Sequence, residues 1–266
     1  MDTRGPERDF ETELNAEQYA AVTAPRGPAL VLAGAGSGKT RTLTYRVAWL
    51  RAQGIPHWRM LLLTFTNKAA REMLERVEKL TGEDFPSRWG GTFHSIGARV
   101  LRSHGGCVGL RPGFTIMDES DADSLFSEIA KKTDREFFRG KDNPKPSVLQ
   151  NWLSYARNTR KSIEEVVSER TDSPTRATEL LTQIAEGYRK KKLESQVADY
   201  DDLLTLWLEV LEKDDRVRES YQRQFDHILV DEYQDTNSIQ SAIVDLIASE
   251  HQVMAVGDDA QCIYTW

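Results

Sequence analysis

Residues 29–40 read ALVLAGAGSGKT. A continuous apolar run enters a glycine-rich turn, and the turn closes on Lys39 and Thr40. Beyond it Leu43, Val47 and Leu50 recur at helical spacing, so the stretch reads as buried strand, loop and helix in succession. The loop fits the phosphate-binding (Walker A) pattern, with Ala33 in place of the first glycine. Glycines there let backbone N–H groups turn inward around phosphate oxygens with no Cβ in the way, and the helix N-terminus adds partial positive charge. The candidate cradle is Ala33, Gly34, Ala35, Gly36, Ser37, Gly38, Lys39 and Thr40. In such a loop the lysine reaches the β- and γ-phosphates and the Thr hydroxyl ligates Mg²⁺.

Three more apolar runs, at 60–65, 228–230 and 253–256, share the character of 29–33: short, nearly continuous and followed by polar or Gly-rich residues. Runs of that kind suit core strands of a parallel sheet covered on both faces. After the third, Ile239, Ile243, Leu246 and Ile247 form a helical stripe, with Thr236, Asn237 and Ser238 as cap candidates. Strand–loop–helix alternation implies an α/β domain. The run at 228–230 ends in Asp231 and Glu232, within ILVDEYQD at 228–235. A strand end delivers such carboxylates to the carboxyl edge of an open sheet, where ligands sit. Asp231 would hold Mg²⁺, and Glu232 would act as the general base on the attacking water. Together with the phosphate loop, the pair implies nucleotide hydrolysis.

The middle of the chain reads differently. Leu125, Phe126, Ile129 and Ala130 form one helical stripe; Val148, Trp152, Leu153 and Ala156 form a second; Leu180, Leu181, Ile184 and Tyr188 form a third. Ser147 with Gln150, and Ser162 with Glu165, are spaced as capping boxes. No strand pattern appears between about 118 and 196. The expected architecture is an α/β domain, residues 1–112 and 198–266, interrupted by an inserted all-helical subdomain at 113–197. The polar run 139–146 (RGKDNPKP) reads as an exposed loop, and the cluster Arg189–Lys192 (RKKK) as a solvated helix face.

The net charge of -7 argues by itself against a nucleic-acid partner, but its distribution does not. Residues 1–112 hold 16 Lys+Arg against 11 Asp+Glu, residues 113–197 hold 15 of each, and residues 198–266 hold 4 against 16. A local basic excess matters more to a polyanion than the total. The polar N-terminus is unlike a signal peptide, and no apolar run approaches the ~20 residues of a membrane helix. Cys107 and Cys262 form neither a metal-ligand spacing nor a disulfide framework. A reducing cytoplasm is the expectation.

Seven ordered segments resemble the signature motifs of superfamily 1 DNA helicases of the UvrD/Rep/PcrA type. They are LNAEQ at 14–18, with Ala16 where Pro is usual; AGAGSGKTRT at 33–42; LTFTNKAAREM at 63–73; GTFHSIGA at 91–98; DYDDLL at 199–204; VDEYQDTN at 230–237; and VGDDAQCIYTW at 256–266. The resemblance implies a RecA-like P-loop NTPase domain using ATP and Mg²⁺, with Lys39, Glu232 and Gln261 as its catalytic groups. It implies that Gln18 reads the adenine edge and that Arg41 lies against its ring. Thr64, Phe65, Asn67 and His94 would line a groove for single-stranded DNA, with Tyr264 and Trp266 as stacking faces and Gln261 as the coupling element. Ala260, Cys262 and Thr265 depart from the usual third motif. The implied activity is ATP-dependent 3′→5′ translocation and unwinding at junctions of single- and double-stranded DNA, in repair or replication. Family members carry a second RecA-like domain, which is expected to be absent from these 266 residues. A helicase–nuclease subunit, or a module that binds ATP or DNA without turnover, are the alternatives.

Overall fold

The computed structural model describes residues 8–34, 36–83, 85, 88–171, 174–248 and 253–258. The strands are β1 (Ala29–Leu32), β2 (Met60–Thr64), β3 (Gly90–Thr92), β4 (Thr115–Ile116), β5 (Val197–Ala198), β6 (His227–Val230) and β7 (Val253–Gly257). Five of them make one sheet in the order β1-β7-β6-β2-β3, and every neighbouring pair is parallel. The chain divides into two compact units. One is drawn from the stretches Met1–Ile96, Asp215–Thr236 and Val244–Thr265, the other from Gly97–Asp214 and Asn237–Ile243.

The first unit contains the five-stranded sheet. All five residues of β2 are buried, as a central parallel strand requires. Its core joins Leu43, Val47 and Leu50 of the helix Lys39–Ala52 to Met60, Leu62, Leu229, Met254 and Val256 of the strands. Met73 and Val77 of the helix Asn67–Thr81 complete it. The strands begun at 29, 60, 228 and 253 in the sequence are thus all present. β3 is an addition: its residues, GGT, carry no apolar signal. A Cβ on Gly90 would come within 2.6 Å of Leu74 Cδ2, so this strand exists where helix and sheet approach too closely for a side chain.

The second unit is helical except for the two-residue pair β4 and β5. The expected stripes form its core: Phe126 and Ala130; Leu153; Leu180, Leu181, Ile184 and Tyr188, with Leu149, Val167 and Ala177 beside them. It takes in residues 97–112, 198–214 and 237–243 besides the middle segment 113–197. A Cβ on Gly97 would lie 2.4 Å from the Leu203 carbonyl oxygen and 3.2 Å from Trp207, which ties the helix Phe93–His104 to the helix Tyr200–Lys213 there.

Three local expectations change. The helix Pro146–Thr159 starts one residue before Ser147: Lys145 is its N-cap and Pro146 occupies the first turn, where a missing N–H is harmless. Gln150 turns instead to Asp123, donating to it at 2.8 Å, and Val148 is exposed. Lys192 is not on a solvated face. It is 2 % exposed, and its Nζ lies 2.5 Å from both Asp199 Oδ2 and Asp202 Oδ2. Those two aspartates are the N-cap and third residue of a reciprocal capping box on the helix Tyr200–Lys213, with Arg157 Nη1 3.9 and 3.7 Å away. The DYDDLL segment therefore builds a buried ionic cluster. Ser162–Glu165 does form its capping box, and Asn237 caps the helix Ser238–Ile247 by exchanging hydrogen bonds with Gln240.

Candidate nucleotide site

Because all five strands are parallel, their carboxyl ends share one edge of the sheet, and the chemistry gathers there. β1 hands over to the glycine-rich loop. Gly36 and Gly38 have φ of +75° and +89°, a conformation that side chains resist. A Cβ on Gly38 would also meet Gln18 Nε2 at 2.7 Å. Lys39 and Thr40 begin the following helix. Lys39 is 8 % exposed, and its Nζ lies 3.4 Å from Glu232 Oε2 and 3.5 Å from Asp258 Oδ2. The loop cation is thus held between two carboxylates that an incoming phosphate would displace.

Asp231 leaves the end of β6 with its backbone N–H bonded to the Leu63 carbonyl of β2. It is 2 % exposed and accepts a hydrogen bond from Thr40 Oγ1 at 3.2 Å. Burial, then the neighbouring Glu232 charge, pushes its carboxyl up to about 6. A buried carboxylate with too little positive charge near it, beside a hydroxyl oxygen, is a hard-oxygen pair of the kind Mg²⁺ takes jointly with phosphates. Among the described residues no cluster of three or more His, Cys, Asp or Glu could hold a metal without such help.

Glu232 adopts φ +50° and ψ +46°. A non-glycine residue held there stores about 1–3 kcal/mol of strain, and such residues concentrate at functional sites. The twist turns its carboxylate back toward Lys39, and Gln234 Nε2 donates to Glu232 Oε2 at 2.7 Å. Gln234 Oε1 in turn accepts from the Asp258 backbone N–H at 3.0 Å. A Cβ on Gly257 would come within 3.0 Å of that oxygen, so Gly257 permits the link between the ends of β6 and β7. Gln234 and Asp258 lie inside the segments VDEYQDTN and VGDDAQCIYTW, where no local pattern marks either as a site residue. A pocket of about 380 Å³ opens over this group, lined by Gly36, Lys39, Thr40, Arg41, Glu232 and also Arg76. Arg76 comes from the helix after β2, and nothing in its sequence position marks it.

Gln18 donates from Nε2 to the Ser37 carbonyl at 2.9 Å, and its Oε1 accepts from Asn15 N. Its amide thus bridges the helix Ala16–Val22 to the phosphate loop. Ala33 donates its N–H to Gly257 O, and Ser37 Oγ donates to Gly34 O.

Beyond the pocket, β2 and β3 end side by side, with Thr64 paired to Thr92. Phe65 is half-buried with its ring centroid 5.8 Å from that of Phe93. Asn67 is exposed at the start of its helix, and His94 is half-buried just after β3. Thr64 differs from the expectation of a groove-lining residue: it is fully buried at the end of a strand buried on both faces, and its hydroxyl has no partner among the described residues. Ala35, Gln261, Tyr264 and Trp266 lie outside the described residues.

A parallel sheet that presents a glycine-rich phosphate loop and a strand-end carboxylate pair at one edge defines a P-loop nucleotide-binding domain. The chain belongs to the UvrD/REP helicase N-terminal domain family, whose model matches residues 14–266. It is similar to the ATP-dependent DNA helicase PcrA of Staphylococcus aureus (strain NCTC 8325 / PS 47), with 37% identity over 255 residues, 95% of this chain and 34% of that protein. The PcrA helicase of Staphylococcus epidermidis (strain ATCC 12228 / FDA PCI 1200) is 36% identical over the same share of each chain. The chain spans about a third of the length of these curated relatives. Among the described residues no helix is long and apolar enough to cross a membrane.

Proposed function

We propose that this chain carries the ATP-binding site, and one wall of the single-strand track, of an ATP-dependent 3′→5′ DNA translocase and helicase. The observation that carries the reading is the meeting of Lys39, Thr40, Asp231 and Glu232 at one sheet edge. Phe65, Asn67 and His94 follow the neighbouring strand ends of the same edge. Membership in a helicase family and the PcrA relatives support the same assignment.

In this reading Lys39 exchanges its carboxylate partners for phosphate oxygens. Thr40 and Asp231 would hold Mg²⁺, which neutralises developing phosphate charge when bound. Glu232, tethered by Gln234, orients the attacking water and accepts its proton. The exchange also frees Glu232 from its contact with Lys39, so the base becomes available when nucleotide arrives. Arg41 and Gln18 take the base end of the nucleotide. Phe65 offers a ring to stacked bases, a sequence-tolerant contact suited to a moving track.

The test is an anisotropy titration of labelled oligo-dT and of a fluorescent ATP analogue with Mg²⁺ onto the 266-residue chain. The reading expects saturable binding of both, with DNA affinity falling steeply as salt rises. Failure to bind either ligand would overturn it.

A further inference from the structure

Glu13 and Tyr45 have no part in the reading above, yet they fix the side chain at the mouth of the pocket. Arg41 Nη2 donates to the Glu13 backbone carbonyl at 2.8 Å and to the Tyr45 hydroxyl at 3.2 Å. Its guanidinium carbon sits 4.7 Å from the centre of the Tyr45 ring. The Tyr45 hydroxyl passes its own proton on to Glu13 Oε2 at 2.6 Å. Glu13 is anchored in turn by Arg8, whose Nη1 reaches both carboxylate oxygens at 3.2 and 3.0 Å. Arg8 Nε closes the chain on the Leu80 carbonyl at 2.7 Å.

The relay has a rigid base. Tyr45 is 7 % exposed and packs with Leu14 and Val22 in a small core of its own. Burial, then the hydrogen bond to Glu13, raises its hydroxyl above the ordinary tyrosine range, so it remains a protonated donor. Arg41 itself is exposed. A flexible exposed arginine would lose much rotamer freedom on binding a ligand; one already held by two acceptors and an aromatic face has less to lose.

We propose that Tyr45 and Glu13 are positioning residues that preset Arg41 for the base of the bound nucleotide, and so create the preference for a nucleotide over a bare polyphosphate. The proposal rests on the reading of this pocket as an ATP site with Arg41 at the base end. Tyr45 and Glu13 touch no ligand in this arrangement. They act through the plane and position of the guanidinium, which stacks on flat rings.

The experiment measures equilibrium affinity for MgATP and for magnesium tripolyphosphate, which lacks base and sugar, on the 266-residue chain. Tyr45→Phe keeps the ring and the core but removes the hydroxyl. It should weaken MgATP by about 3- to 10-fold, the range of one or two net hydrogen bonds, and leave tripolyphosphate within about twofold. Glu13→Gln retains an acceptor for the hydroxyl and should stay near the parent, whereas Glu13→Leu should match Tyr45→Phe. Adding Tyr45→Phe to Arg41→Ala should cause no further loss. Equal weakening of both ligands would make the relay a general scaffold and overturn the proposal, as would unchanged MgATP affinity in both Tyr45→Phe and Glu13→Leu. If Arg41→Ala leaves the ratio of the two affinities unchanged, the base-end reading of Arg41 fails and the proposal falls with it. If neither MgATP nor tripolyphosphate binds the parent, the phosphate-loop reading itself has failed. Thermal unfolding of each variant keeps loss of fold distinct from these outcomes.

Discussion

Asp231→Asn should stabilise the ligand-free chain while weakening the Mg²⁺ site proposed at Thr40 and Asp231. Asp231 is 2 % exposed, and burial followed by the Glu232 charge raises its carboxyl from the ordinary 3.8 to about 6. A group whose folded pKa is raised binds more protons folded than unfolded between those two values, so stability falls as pH rises through that window. A shift of about two units corresponds to about 3 kcal/mol once the group is ionised in both states. Asp231 Oδ1 also accepts from the Glu232 backbone N–H at 3.1 Å. In the variant the amide oxygen keeps that bond while its NH2 donates to the Thr40 hydroxyl, which can reverse its role, so at most about 1 kcal/mol is lost from that contact. The net gain expected at about pH 7.5 is therefore roughly 2–3 kcal/mol, shrinking toward zero near about pH 4, where the parent side chain is protonated when folded. Urea unfolding of parent and variant at the two pH values reads this directly. A variant no more stable than the parent at the higher pH would mean that Asp231 is not held buried and charged in the folded chain. A gain that persists undiminished in acid would mean that ionisation of Asp231 is not its source.

Glu232→Gln should leave MgATP binding within about threefold and, in any chain of this family that turns over ATP, lower single-turnover hydrolysis by about 10²–10⁴; a loss under about tenfold would mean that another group is the base. Phe65→Ala should weaken oligo-dT and mixed-sequence single strands alike by about 1–3 kcal/mol. If its effect appears only in thermal stability, Phe65 is a core partner of Phe93 and not a track residue. Lys192→Met should destabilise the helical unit by about 3–5 kcal/mol, because it removes the cation nearest to the buried Asp199 and Asp202 and leaves them their capping bonds and the more distant Arg157. An unchanged urea midpoint would show that the two carboxylates are protonated or solvated in solution.

The parts of this molecule legible in sequence are those where one residue type answers to one physical demand. Gly36 and Gly38 supply positive φ, and a Lys-Thr pair opens a helix directly after them. Asp231 and Glu232 terminate an apolar run. These signals are local, so short windows carry them. What was not legible depends on neighbours distant in the chain. β3 is two glycines and a threonine, present because Leu74 and the adjoining strand close over it. Lys192 looks like one of four equivalent cations until Asp199 and Asp202 are folded against it. Arg76 reaches the pocket only because its helix follows β2 back along the sheet. Thr64, at the end of β2, could face groove or core, and the packing over both faces of that strand decides.

The phosphate-loop assignment is tested most directly by calorimetric titration of MgATP onto the 266-residue chain and its Lys39→Ala variant. Lys39 Nζ, 3.4 and 3.5 Å from Glu232 and Asp258, is the cation that would exchange those partners for phosphate. Deleting a hydrogen bond to a charged group removes about 1.5–3 kcal/mol, and the phosphates would then approach Glu232 and Asp258 without the Lys39 charge between them. The account predicts saturable binding by the parent and affinity about 10- to 150-fold weaker in the variant. Equal affinity of the two chains for MgATP would contradict it.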